Sequence, residues 1–250
     1  MNFIRLSISE NIATIVLNRP KVNALNEVLV EELRECFQNV ADDSKVKSVI
    51  LTGEGSFFSF GLDVPEFLSY SKDSFIKFLT KFTELYGYIF TFPKPVVAAL
   101  NGHTIAGGCM IAIACDYRLM VSGKARISLN ELTFGSTVFA GSVEMLKHLI
   151  GRRNAELALY TGAMYSAENA KELGLLHEVV SKENLRAAAQ SIAEDFAKKD
   201  SRAFRSVKML LRKQAEEKMK KRESDSILEF ADIWYSEGTW KNLWNIKIRD

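Results

Sequence analysis

Apolar residues in this chain repeat every second position and then every third or fourth, in alternation, until about residue 180. Beyond 182 only the helical spacing persists. Period two marks a strand with one buried face and the longer period marks a helix, so the alternation predicts an α/β body followed by a helical tail. Ile4, Leu6 and Ile8 alternate with polar residues, Ser9, Glu10 and Asn11 make a turn, and Ala13, Ile15 and Leu17 resume the pattern. That is a hairpin. Asn26 is placed to cap a helix carrying Leu29, Leu33, Cys36, Phe37 and Val40, and a strand follows over 46–51. A second apolar stripe, from Phe75 to Ile89, predicts a helix over 73–91 that stops before Pro93 and Pro95. Strands are expected over 96–100, 116–120, 125–129 and 176–180, and helices over 107–114 and 143–173.

The tail predicts helices over 183–198, 201–219 and 224–235. Its run over 212–222 is charged on nearly every face and reads as a solvated surface that aids solubility. Trp234, Tyr235, Trp240 and Trp244 carry too much apolar area to be left in water, and either the chain's own core or another subunit would cover them.

A chain of 250 residues is long enough for one large domain or a domain with an appendage. Its 33 basic and 31 acidic residues leave a net charge of +2, which gives no general basis for nucleic-acid binding. Cys36, Cys109 and Cys115 are odd in number and lack metal-ligand spacing, which argues against a disulfide framework. Together with an opening that reads as strand rather than leader, and no apolar run near the roughly 20 residues of a membrane span, this leads us to expect a cytoplasmic protein.

His103, His148 and His177 sit in three different contexts without a carboxylate at ligand spacing, so metal sites and histidine triads are not expected. A P-loop and a GxGxxG turn are also missing. Acid/base chemistry remains, and two segments suit it. One is the stretch from Ser56 to Asp63, with Gly61 where the chain must bend. The other runs from Asn101 to Cys109, where a buried strand meets a helix whose first turn is glycine and alanine. Free N–H groups at such a start attract anionic oxygen, and the small side chains leave room for it.

These segments occur in order with Asn18-Arg19-Pro20, Asn23-Ala24-Leu25, Lys94-Pro95-Val96-Val97-Ala98-Ala99, Cys115-Asp116-Tyr117-Arg118 and Gly174-Leu175. The set resembles the crotonase superfamily of acyl-CoA enzymes over about 1–180. The resemblance implies a spiral of βαβ units over 1–190 and a helical region over 191–250 that helps build a homotrimer or a dimer of trimers. It implies an acyl-CoA substrate, whose coenzyme A belongs to the substrate, with no separate cofactor. It assigns the N–H groups of Phe60 and Gly107 to the thioester oxygen, and it lays coenzyme A against Lys21, Val22 and Ala24 and against Gly61, Leu62, Asp63 and Val64. For Lys21 both a phosphate contact and plain solvation are open. Phe60 stands where the family usually has alanine, which narrows or reshapes the acyl pocket.

Hydratases of the family use two carboxylates, and the first of those places is Met110 here. It lies three residues after Gly107, so on a helix it faces the same pocket, and a thioether cannot activate water. The second place is Glu131, set among Leu129, Leu132, Phe134 and Phe139, an apolar setting that raises a carboxyl's proton affinity. This pattern most resembles Δ3,Δ2-enoyl-CoA isomerases, which work with one glutamate. A dienoyl-CoA isomerase would carry an aspartate where Phe139 stands, and Glu144 is a further carboxylate near the next helix start. The rival readings are a one-carboxylate hydratase, a thioester hydrolase and a noncatalytic acyl-CoA-binding protein.

Overall fold

The structure is a computed structural model, and it describes residues 1–246. The opening hairpin pairs β1 (Ile4–Ser9) with β2 (Ile12–Leu17) through Glu10 and Asn11, both at positive φ. Only Ile4 of the β1 row is buried, while Leu6 and Ile8 are exposed along a sheet edge. Asn26 caps α1 (Glu27–Asp42) by accepting from Leu29 N–H at 3.1 Å, and the stripe of α1 is buried as its spacing predicts.

From there the chain winds in a spiral. Each turn lays one strand in a large sheet and the next in a small one: β3 (Ser48–Gly53) then β4 (Phe57–Ser59), β5 (Val96–Leu100) then β6 (His103–Ile105), β7 (Tyr117–Val121) then β8 (Ile127–Ser128). The large sheet, closed by β9 (Glu178–Val180), has the order β1-β2-β3-β5-β7-β9 and is parallel from β2 onward. The small sheet is β4-β6-β8, also parallel. Parallel strands need crossovers, which α2 (Val64–Phe67), α3 (Lys72–Phe90) and α4 (Gly107–Ala114) help provide. The architecture is the expected α/β crotonase spiral.

Downstream, the expected helix over 143–173 is interrupted twice: Gly151, at φ 73° and ψ 164°, kinks α5 (Ala140–Thr161), and Gly162, left-handed at φ 57°, ends it before α6 (Ala167–Glu172). The helix α7 (Leu185–Ala197) packs under β3, β5 and β7, so an expected boundary at 190 falls inside an element of the sheet's own cover. The two further tail helices are one, α8 (Ser201–Trp234), followed by α9 (Glu237–Leu243). Lysine, arginine and glutamate are good helix formers, so the charged run continues α8 rather than interrupting it.

That run is not uniformly solvated, contrary to expectation. Arg212 is buried, donates to the carbonyls of Phe90, Ala114 and Cys115, and pairs with Asp116 at 3.1 Å. Lys208, one turn earlier, is also buried and meets Asp116 at 2.8 Å. These pairs fasten α8 to the end of the body, while α8 packs along α5 and α3. Of the tail aromatics, Trp234 enters the core, Trp240 stacks on Tyr235 at 5.0 Å, and Trp244 is 61% exposed.

Candidate active site

The strand edge near Leu25 explains the geometry of the first loop. Leu25 N–H donates to Gly61 O at 2.7 Å and Asp63 N–H donates to Leu25 O at 3.0 Å, a parallel bridge between Leu25 and Leu62. In such a bridge the N–H of the bridged residue itself points away from the partner strand. Leu62 N–H accordingly has no acceptor among the described residues. Gly107 opens α4, and its N–H, one of the helix's orphan donors, is likewise without an acceptor among them. The two loops touch: a Cβ built on Gly61, which has φ +99°, would lie 3.0 Å from Gly107 N. Two amides without an acceptor among the described residues therefore lie close to Gly61.

Phe60 departs from its expected role. Its N–H donates to Val22 O at 3.0 Å, the same pairing of 22–25 with 60–63, and so is already used. The N–H on this loop without an acceptor among the described residues lies two residues on, at Leu62. Phe60 contributes its ring, which lines the cavity beside Phe57 at a centroid distance of 6.0 Å.

The cavity in front of these amides is about 420 Å³ and is walled almost entirely by apolar groups. It brings together Phe60, Leu62, Val64, Gly107, Met110, Glu131 and Phe139 from the sequence-derived set. It does not include Lys21, Val22, Ala24, Gly61 or Asp63 in its wall. Asp63 is occupied structurally: it caps α2 through Glu66 N–H at 3.2 Å and pairs with Arg19 at 2.6 Å, while Arg19 also donates to Ala24 O. Lys21 is exposed at the chain surface next to this segment. Glu144 pairs with Lys147 at 2.6 Å and is not among the lining residues.

Glu131 begins a 3-10 turn (Glu131–Phe134) that Gly135 ends in the left-handed region at φ 86°. Its carboxyl is buried, and neither oxygen has a hydrogen-bond partner among the described residues. Burial disfavours the charged form and pushes the carboxyl up to about 8, against a smaller opposing pull from its own backbone amide. It is the one carboxylate among the described residues that line the cavity. Met110 of α4 lines the same cavity, is 1% exposed and carries no acid/base function. On α4, Cys109 is also buried, and burial, then the Glu131 charge, holds its thiol protonated. His103 lines the cavity against the Phe57 ring, and desolvation lowers its proton affinity.

Several wall residues lie outside the sequence-derived set. An aromatic series runs from Phe82, near Gly107, to Phe139 (6.1 Å), Phe230 (4.4 Å) and Trp234 (5.9 Å), and Ile246 joins it. Phe82 belongs to the apolar stripe of α3, and the tail's aromatic content signals burial without saying where. Only the folding of α8 back over α3 and α5 brings Phe230 and Trp234 to the same cavity as Glu131.

Residues 7–231 match the enoyl-CoA hydratase/isomerase family, and the chain belongs to that family, within the crotonase superfamily of acyl-CoA enzymes. It is 31% identical to mouse mitochondrial enoyl-CoA delta isomerase 1, over 93% of this chain and 81% of that protein. It is 32% identical to a probable enoyl-CoA hydratase of Bacillus subtilis, over 84% of this chain and 82% of that protein. The crystal structure of human mitochondrial delta3-delta2-enoyl-CoA isomerase superposes with a TM-score of 0.93 at 25% identity, covering 97% of this chain and 95% of that one. Among the described residues, no helix is long and apolar enough to cross a membrane.

Proposed function

We propose that this protein shifts the double bond of a 3-enoyl-CoA to the 2-position by moving one proton through Glu131. The observation that carries this reading is the pairing of a single buried carboxylate with Met110 in one cavity. Addition of water across a double bond requires groups that orient and deprotonate the water, and Met110 supplies neither.

The thioester oxygen lies between Leu62 N–H and Gly107 N–H. Glu131 takes a proton from C2, the electron pair moves into the thioester to give an enolate, and the two amides stabilise the charge on oxygen. Each such donor is worth on the order of 10²–10³ in rate. The carboxylic acid then returns its proton to C4, the enolate collapses to the conjugated 2-enoyl thioester, and Glu131 is a carboxylate again. Both transfers occur on the side of the substrate that faces Glu131. An apolar cavity suits this base, because a desolvated carboxylate binds a proton more strongly. Following double-bond migration in a 3-enoyl-CoA beside water addition to a 2-enoyl-CoA tests the reading. Migration without hydration supports it, and hydration as the dominant activity contradicts it.

The assembly in this reading is a homotrimer or a dimer of trimers. Its support is apolar area on α8 and beyond: Leu210 is 78% exposed, Leu211 65% and Trp244 61%. A monomer in light scattering at micromolar concentration contradicts it.

A further inference from the structure

The chain from Asn130 to Gly141 carries Glu131 at one end and enters α5 at the other, and both ends are held by side chains of α8 and α9. Thr239 of α9, 5% exposed, donates its hydroxyl to Gly135 O at 2.5 Å. Asn242, one turn on, donates to Phe134 O at 3.1 Å. These carbonyls belong to the last residue of the 3-10 turn and its left-handed cap, where Gly135 N–H returns to Leu132 O and Ser136 N–H to Glu131 O. At the far end, Glu223 of α8 accepts from Gly141 N–H at 2.6 Å and from the Tyr86 hydroxyl, and Ser226 accepts from Ala140 N–H at 3.0 Å.

The Glu131 carboxyl has no hydrogen bond of its own among the described residues. Apart from packing, its place is therefore set by the backbone of the turn that carries it. The turn's carbonyls at Phe134 and Gly135 are in turn fixed by α9. An added Cβ at Gly135 would meet Thr239 Oγ1 at 3.3 Å and Asn242 Nδ2 at 3.4 Å, so α9 is seated directly on the cap.

From this we infer that Thr239 is a positioning residue for Glu131, acting through Gly135, with Asn242 beside it and Glu223 anchoring the other end of the segment. The C-terminal helices thus act on the active site of their own chain. The inference rests on the reading of Glu131 as the base. Displacing a reacting group by about 1 Å is enough to cost on the order of 10²-fold in rate, so loss of a remote hydrogen bond reaches the chemistry.

The test compares Thr239→Val, Thr239→Ser, Asn242→Ala and Glu131→Gln with the wild type, in full-length protein, on the enoyl-CoA that the wild type turns over best. Thr239→Val keeps the side-chain shape without the donor, and its kcat is expected to fall roughly 10- to 100-fold with KM within about twofold. Thr239→Ser restores the hydroxyl and is expected to recover most of kcat. Asn242 is exposed, so its alanine variant keeps the folded state within reach even where Thr239→Val does not fold, and a several-fold loss confined to kcat is expected. Wild-type kcat in both Thr239→Val and Asn242→Ala, or a loss in Thr239→Val that serine fails to restore, overturns the inference. Near wild-type turnover in Glu131→Gln instead overturns the assignment of the base, which keeps the two failures distinguishable.

Discussion

Met110 and Glu131 line the same cavity from α4 and from the 3-10 turn, both almost fully buried, 1% and 4% exposed. Glu131 brings a carboxyl to the cavity and Met110 a thioether, and the proposed chemistry rests on that difference. Met110→Glu would place a second carboxyl there. The variant is expected to gain measurable hydration of a 2-enoyl-CoA while losing stability by a few kcal/mol, since a buried acid without partners is costly. Thermal melting and water addition, measured on the same sample, check both halves. An unchanged hydration rate in a folded variant would show that Met110 does not face the reacting carbons.

The unpartnered carboxyl of Glu131 has consequences for pH. A base pushed up to about 8 is mostly protonated at neutral pH in the unliganded protein, so kcat/KM should rise with pH through about 8 and level off above. Stability moves the other way. The fold favours the neutral acid, so this contribution is fully present below the ordinary value of 4.5 and is lost as pH rises toward about 8. Glu131→Gln cannot titrate. Its stability relative to the wild type should therefore climb between pH 4.5 and 8, by on the order of 4 kcal/mol, read as a Tm lead of several degrees. A constant difference across that range would mean that Glu131 is solvated.

Gly61 is required by both backbone and space. Its φ of +99° disfavours any side chain, and a Cβ would sit 2.9 Å from Ala106 Cβ and 3.0 Å from Gly107 N. Gly61→Ala is expected to lower stability by about 2 kcal/mol and turnover at least 100-fold, because it separates the two amides. Turnover near wild type would remove Leu62 and Gly107 from the oxyanion role.

Asp116 receives Lys208, Arg212 and Val96 N–H in one buried place. Its replacement by alanine leaves two buried cations uncompensated and should cost roughly 3–5 kcal/mol. Denaturant unfolding measures this directly, and a loss under 1 kcal/mol would show that water reaches the cluster.

The parts of the molecule legible in the sequence are those set by neighbours along the chain. The Asn26 cap, the stripe on α3, the glycine start of α4 and the isolation of Glu131 among apolar residues are all local patterns. What depends on register between distant segments was not legible. Phe60 rather than Leu62 looked like the donor, because which amide is spent depends on how residues 22–25 pair with 60–63. Arg212 looked solvated, because its partner Asp116 lies far back in the chain. The tail aromatics signalled burial, yet only the path of α8 places Phe230 and Trp234 on the cavity of Glu131.

The central claim is that one carboxylate carries a proton between C2 and C4. It is tested most directly by incubating wild type and Glu131→Gln with a 3-enoyl-CoA while following double-bond migration, water addition and release of coenzyme A separately. The account predicts migration by the wild type with little hydration or release, and a loss of 10³-fold or more in Glu131→Gln with thioester binding kept. Dominant hydration or coenzyme A release by the wild type, or near wild-type migration by Glu131→Gln, would contradict it.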